Sequence, residues 1–177
     1  MHRLFVAIQP PAAVRAWLLG LTGGVSGARW QVEDQLHLTV RFIGEVDRHA
    51  AADVDAALAG LVHPPFEARI AGVGSFERRG APTALWAGVS PPEPFQALHK
   101  KVDQAIVRAG LEPERRAYVP HITLARLPRG SGSLGGFLDA AGSASGPSFP
   151  VTDFCLFESR LTPDGAAYSV VERYRLG

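Results

Sequence analysis

Apolar and polar residues follow one another along this chain in two periods, one typical of strands and one typical of helices. A two-residue period or a short apolar run marks seven predicted strands, at residues 4–8, 36–43, 66–76, 84–89, 118–125, 149–159 and 167–174. Helical spacing marks three predicted helices, at about residues 11–19, 47–61 and 95–107. Prolines open the first helix and follow the second, and Gly110 ends the third.

Residues 130–147 are rich in glycine and serine. They predict a mobile surface loop, with one helical turn around Leu134, Phe137 and Leu138. A strand-helix-strand-strand order occurs twice, and it predicts an α+β fold with antiparallel-rich sheets and helices on the outer face. A length of 177 residues fits one domain, so we expect residues 1–177 to fold as a single unit.

One short pattern stands twice within the predicted strands, as His37-Leu38-Thr39-Val40 and His121-Ile122-Thr123-Leu124. Because side chains alternate along a strand, each copy presents an imidazole and a hydroxyl on one face and two aliphatic residues on the other. The copies lie 84 residues apart (121 minus 37), about half the chain. An internal duplication with one motif in each half explains that spacing most simply.

Composition then narrows the classes of function. The chain is 46% hydrophobic and 20% charged with a net charge of +1, which argues against tight, non-specific binding to duplex nucleic acid. Its one cysteine, Cys155, excludes an internal disulfide and stands in an apolar run that predicts burial. The first apolar segment is too short for a signal peptide, and no apolar run reaches the length of a membrane span. We therefore expect a cytoplasmic protein with no membrane partner.

The chemistry open to the two motifs is limited. They supply two histidines and no further residue at ligand spacing, whereas a zinc site needs three or four ligands. The chain has no nucleophile-elbow pattern of a serine hydrolase and no glycine motif that cradles phosphates. Paired imidazoles instead suit concerted acid-base catalysis, because a pKa near 6.5 leaves both protonation states accessible. Metal-free cleavage of a phosphodiester uses such a pair, with threonine hydroxyls on the non-bridging oxygens.

At this point the chain resembles the two-histidine phosphoesterases, and within them the RNA 2′,3′-cyclic phosphodiesterases, also called 2′-5′ RNA ligases. The resemblance spans nearly the whole chain. The matching segments are residues 3–8, 36–45, 85–89, 120–126 and about 165–171. It implies two pseudo-symmetric lobes around a central cleft floored by the motif strands. It also implies hydrolysis of a nucleoside 2′,3′-cyclic phosphate end to a 2′-phosphate, without metal or cofactor.

Carried over by motif position, the resemblance implies that His37 is the general acid that releases O3′. His121 would be the general base that activates water. Thr39 and Thr123 would hold the phosphate. The implied substrate is an RNA with a 2′,3′-cyclic phosphate end, or a nucleoside cyclic phosphate, and we expect a monomer.

Two further residues, Phe42 and Arg126, each stand five places after a motif histidine. The resemblance implies that Phe42 stacks on a base and that Arg126 assists at the phosphate. Strict alternation would aim both side chains at the opposite face of the strand, so each strand must end or bulge before them. Gly44 offers such a break near Phe42, and no comparable residue lies close after Arg126.

Three alternative functions share these residues. A related enzyme could cleave 2′-5′ linkages, or run ATP-independent RNA ligation as the reverse reaction. A nucleotide-binding module could keep the cleft and bind 2′-phosphates without turnover. The four remaining histidines, at positions 2, 49, 63 and 99, are expected on the surface, outside the site.

Overall fold

The computed structural model describes all 177 residues and confirms the α+β class. The nine strands are β1 (His2–Ile8), β2 (Arg29–Trp30), β3 (Leu38–Val46), β4 (Phe66–Arg78), β5 (Ala81–Ser90), β6 (His121–Arg126), β7 (Ser145–Val151), β8 (Asp153–Thr162) and β9 (Gly165–Arg175). The four helices are α1 (Ala12–Leu19), α2 (Arg48–Ala59), α3 (Glu93–Arg108) and α4 (Gly135–Ala141), and a 3-10 turn covers Glu33–Gln35.

Two sequence predictions were wrong in the last third of the chain. The predicted strand at 149–159 is two strands, β7 and β8, because the chain leaves one half of the sheet at Thr152: β7 pairs with β4, whereas β8 pairs with β1 in the other half. The predicted mobile loop at 130–147 contains the beginning of β7 and the helix α4, which lies where one helical turn was predicted. Phe137 and Ala141 of α4 are buried in the core, and this packing overrides the local preference of glycine and serine for irregular structure.

All nine strands belong to one sheet with antiparallel pairing, in the order β7-β4-β5-β6-β3-β1-β8-β9, with β2 paired to β6. The two motif strands, β6 and β3, are neighbours at the centre, and three further strands extend the sheet on each side. The helices pack against the sheet, with α2 on β1, α3 on β3, α1 on β7 and α4 on β4. The boundary between β6 and β3 therefore divides the main strand order into two halves of four strands each.

The main core lies between the helices and the sheet. Helix α3 contributes Phe95, Leu98, Val102 and Ile106, all fully buried at helical spacing, as its periodicity predicts. Burial of each such side chain stabilises the fold by about 1.5–3 kcal/mol. No helix is both long and apolar enough to cross a membrane.

A small second cluster lies on the opposite face of the sheet. It consists of Phe5, Ala7, Cys155 and Phe157, with Tyr168 packed against it. Alternate residues of β1 therefore face two apolar layers, and the strand is buried on both sides. This second layer forms the apolar support of the cleft.

Candidate active site

The two motif strands touch at a single residue pair, Leu38 and Ile122. In an antiparallel pair, this register sets His37 beside Thr123 and Thr39 beside His121. The two imidazoles thus occupy opposite corners of a four-residue square, and the two hydroxyl groups occupy the other corners. Diagonal neighbours of this kind have Cα or Cβ atoms about 7–8 Å apart.

A β-bulge in β3 redirects the side chains after Thr39. Consecutive residues of β1 pair with Thr39 and Arg41, so Val40 has no opposite residue. The bulge returns Phe42 to the face that carries Thr39, and its ring is 40% exposed. Gly44, where the sequence predicted a break in the strand, lies beyond this bulge.

Strand β6 contains a β-bulge at the equivalent position. Consecutive residues of β5 pair with Thr123 and Ala125, which leaves Leu124 without an opposite residue. The bulge returns Arg126 to the face of Thr123. Both bulges stand three residues after the motif histidine, and both bulged residues, Val40 and Leu124, are buried in the main core. Strict alternation would turn Phe42 and Arg126 away from the cleft. The two bulges turn both side chains toward it.

Most of the predicted site residues line one cavity of about 190 Å³. His37, Thr39, Phe42 and Arg126 lie on its wall; its other lining residues are Arg3, Phe5, Ser159, Leu161, Ala166 and Tyr168. The cavity thus brings the first motif together with the arginine that follows the second.

His121 lines a second, larger cavity of about 520 Å³ on the other side of Thr39. Thr39 and Phe42 border both cavities, so they separate two parts of one cleft. Thr123 lines neither cavity and is half-buried in β6, where it pairs with Trp86. The strand register places Thr123 opposite His37, and this position is the basis of its proposed contact with substrate.

His37 lies in an aromatic surrounding immediately before β3. Its ring centroid is 4.9 Å from that of Phe5 and 5.1 Å from that of Tyr168, which meets it edge-on. Burial disfavours the charged imidazolium and lowers the pKa of His37 from 6.5 to about 4. A backbone hydrogen bond with Gln35 acts in the opposite sense, and the positive charge of Arg126 lowers the pKa further.

The His121 ring is held by a backbone carbonyl two residues earlier in the chain and by aromatic neighbours. Its Nδ1 lies 2.6 Å from the carbonyl oxygen of Val119, so in the neutral ring Nδ1–H donates and Nε2 keeps its lone pair for the cleft. The Phe76 ring meets the imidazole edge-on at 4.8 Å. Burial also lowers the pKa of His121; the bond to Val119 opposes the shift, and the charge of Arg126 adds to it. Both shifts favour the neutral imidazole in the free protein.

Beyond Leu38, strand β6 no longer pairs with β3. Along this stretch, side chains rather than a neighbouring strand bond to carbonyl oxygens of β3. The Tyr118 hydroxyl donates to the carbonyl oxygen of Thr39 at 3.0 Å. The His99 Nδ1 lies 2.7 Å from the carbonyl oxygen of Val40, and its ring stacks on Tyr118 at 4.2 Å. These contacts hold the bulge and, with it, the backbone of Thr39.

Arg41 completes this support from the core. It is 7% exposed, pairs with Asp103 of α3 at 2.7 Å and donates to the carbonyl oxygen of Phe42. The supporting roles of Arg41 and Tyr118 were not predicted from the sequence. The prediction that His99 and His63 lie on the surface was wrong, since His99 is half-buried and His63 is 5% exposed with Nδ1 on the Pro64 carbonyl. The partner of His99, the carbonyl oxygen of Val40, comes from a distant segment, so no local signal distinguishes this histidine.

Comparison with known proteins gives a consistent result. Residues 23–160 match the sequence model of the 2′-5′ RNA ligase superfamily. The RNA 2′,3′-cyclic phosphodiesterase of Methanothermobacter thermautotrophicus is 30% identical over 182 residues, which cover 98% of either chain. The enzyme of the same name from Thermus thermophilus is 33% identical over 186 residues, covering 98% of this chain and 90% of the relative.

Solved structures share the fold over nearly the full length. The crystal structure of TT0787 from Thermus thermophilus superposes with a TM-score of 0.80 at 30% identity, covering 98% of this chain and 97% of that one. Escherichia coli LigT complexed with 3′-AMP superposes with a TM-score of 0.79 at 26% identity, covering 99% and 98%.

Proposed function

Because this chain belongs to the 2′-5′ RNA ligase superfamily, as its motifs predicted, we propose that it is an RNA 2′,3′-cyclic phosphodiesterase. It opens the cyclic phosphate at an RNA end, or in a nucleoside cyclic phosphate, and leaves a 2′-phosphate. Two curated relatives of that name, each at least 30% identical over 98% of this chain, support the substrate class.

One observation carries the proposal: the pairing of Leu38 with Ile122, which sets two imidazoles at opposite corners and two hydroxyls between them. Hydrolysis of a phosphodiester needs a base for the attacking water and an acid for the departing oxygen, on opposite sides of phosphorus. A phosphate seated over this pair has an imidazole on each side. Thr39 and Thr123 then donate to the non-bridging oxygens, where negative charge grows.

The reaction runs in one displacement. Nε2 of His121 takes a proton from water as the water oxygen bonds to phosphorus. The bond from phosphorus to O3′ breaks, and His37 donates a proton to O3′. The negative charge of the bound phosphodiester counters the burial that keeps His37 neutral in the free protein, and so raises its pKa in the complex. Arg126 faces the same cavity and stabilises the phosphate charge.

The whole chain is proposed to work as one bilobal domain, residues 1–177, built from a duplicated unit with one motif in each half. A single chain supplies both histidines and both threonines, so a monomer contains a complete site. Phe42, exposed at the border of both cavities, is placed for stacking on a base of the substrate.

The test is turnover of adenosine 2′,3′-cyclic phosphate by purified protein in the presence of EDTA. We expect full activity with the chelator, a 2′-phosphate product, and a loss of at least about 10²-fold in kcat/KM for His37→Ala and for His121→Ala. His49→Ala, which removes an exposed imidazole of α2, is the matched control. Near-wild-type activity of either cleft variant, or loss of activity with EDTA, contradicts the proposal. A 3′-phosphate product would contradict the assignment of O3′ as the leaving oxygen, and ligation of added RNA ends would favour the ligase alternative.

A further inference from the structure

Building on the proposed function, we propose that Arg29 and Arg126 form a second anion subsite, for the phosphate on the 5′ side of the terminal nucleotide. The site then favours an RNA end over a free nucleoside cyclic phosphate. A nucleoside cyclic phosphate carries one phosphate, whereas an RNA end carries the next phosphodiester one nucleotide away.

The two arginines are directly opposite each other in the sheet. Strand β2 is only two residues long, and it pairs Arg29 with Arg126 and Trp30 with Ala125. Opposite residues of an antiparallel pair point to the same face, with Cβ atoms about 4.5–5.5 Å apart. Like charges in this position destabilise the pair, and neither guanidinium makes a hydrogen bond or ion pair within the protein. An anion between them would relieve this repulsion.

The position of Arg29 is fixed by contacts of the two residues that follow it. The backbone N–H of Gln31 donates to the carbonyl oxygen of Leu124, the bulged residue of β6, at 2.9 Å. The Trp30 ring packs against Phe137 of α4, with 5.6 Å between ring centroids. Arg29 is thus held on the sheet beside Arg126, although the chain before it, from Gly20 to Ala28, forms no strand or helix.

Both arginines line a cavity of about 610 Å³ that adjoins the catalytic one. The two cavities share three lining residues, Arg126, Ala166 and Tyr168. The Gln35 side chain donates to the carbonyl oxygen of Ala166 at 3.0 Å and so joins the turn before His37 to β9 at this shared wall. Arg126 therefore stands between the reactive phosphate and the space beside Arg29.

The charge of this cavity fits a phosphate. Asp164 is the only carboxylate on its wall, and it forms no ion pair with either arginine. The remaining lining is neutral, and it includes the polar side chains of Gln31, Gln35 and Thr162. Guanidinium groups present planar forks of donors to phosphate oxygens, and two of them on one side of a cavity suit a phosphodiester.

Two substrates that differ only at the 5′ position test this subsite: adenosine 2′,3′-cyclic phosphate, and the same nucleoside with a 5′-methyl phosphate, which mimics the next linkage. Arg29→Gln should lower kcat/KM about tenfold on the phosphorylated substrate, through KM, and leave the unphosphorylated one unchanged. The salt dependence of KM for the phosphorylated substrate should weaken by about one unit of slope. Arg108→Gln, an exposed arginine of α3 with the same change of charge, should alter neither substrate.

Calorimetric binding of the two 2′-phosphate products to the same variants separates the subsite from catalysis. Absence of turnover, together with a loss of affinity in Arg29→Gln for the 5′-methyl product alone, would support the subsite and contradict the proposed activity. Turnover of both substrates with no dependence on Arg29 would overturn the subsite alone. An equal loss on both substrates would also overturn it, because Arg29 would then act on the reactive phosphate or on folding.

Discussion

Protonation of His37 should destabilise the folded protein, and this coupling can be measured. Burial beside Phe5 and Tyr168 holds the pKa of His37 at about 4, compared with 6.5 in the unfolded chain. Between these two values the unfolded chain binds a proton that the folded chain does not. The free energy of unfolding therefore falls as the pH falls through this window.

The size of the effect follows from the shift. Relative to pH 7.5, the contribution of His37 falls by about 2 kcal/mol at pH 5 and by about 3 kcal/mol below pH 4. His37→Gln removes the titrating group and keeps a polar side chain of similar size. The wild type should therefore lose about 2 kcal/mol relative to His37→Gln between pH 7.5 and pH 5.

Urea unfolding of both proteins at the two pH values measures this difference, with His49→Gln as the control for loss of an exposed imidazole. Nuclear magnetic resonance of the ring carbons gives the pKa of His37 directly. Addition of inorganic phosphate should raise this pKa, because the anion stabilises the imidazolium that the acid role requires. A His37 pKa at or above 6.5 in the free protein, or a stability difference that does not change with pH, would refute the reasoning.

Two further substitutions test the support of the cleft. Tyr118→Phe removes the hydroxyl that donates to the carbonyl oxygen of Thr39; it should lower the free energy of unfolding by about 1 kcal/mol and reduce kcat. Unchanged urea unfolding and kcat would show that the hydroxyl does not hold the bulge. Phe42→Leu should raise KM by roughly 5- to 150-fold, corresponding to about 1–3 kcal/mol of base stacking, with kcat nearly constant. A fall in kcat without a change in KM would contradict a stacking role.

Much of the fold follows from local pattern. The amphipathic spacing of α3 and the apolar run of β1 predicted their elements because each buries a face that is apolar at the right period. The numbers of helices and strands predicted in the last third of the chain were wrong because local pattern was not sufficient there. The few apolar residues of the glycine- and serine-rich stretch predicted only one helical turn, and contact of Phe137 with Trp30 and the core gives α4 its place.

The sequence by itself determined the chemistry of the motifs, since alternation along a strand places each histidine with its threonine on one face. It did not determine where Phe42 and Arg126 point. Val40 and Leu124 are ordinary core residues, and a bulge at either becomes visible only when the neighbouring strand shows which residue has no opposite partner. The same holds for the pairing of Arg29 with Arg126, which joins residues 97 positions apart (126 minus 29). Tertiary structure decided these features because register and bulges are properties of paired strands, not of either strand alone.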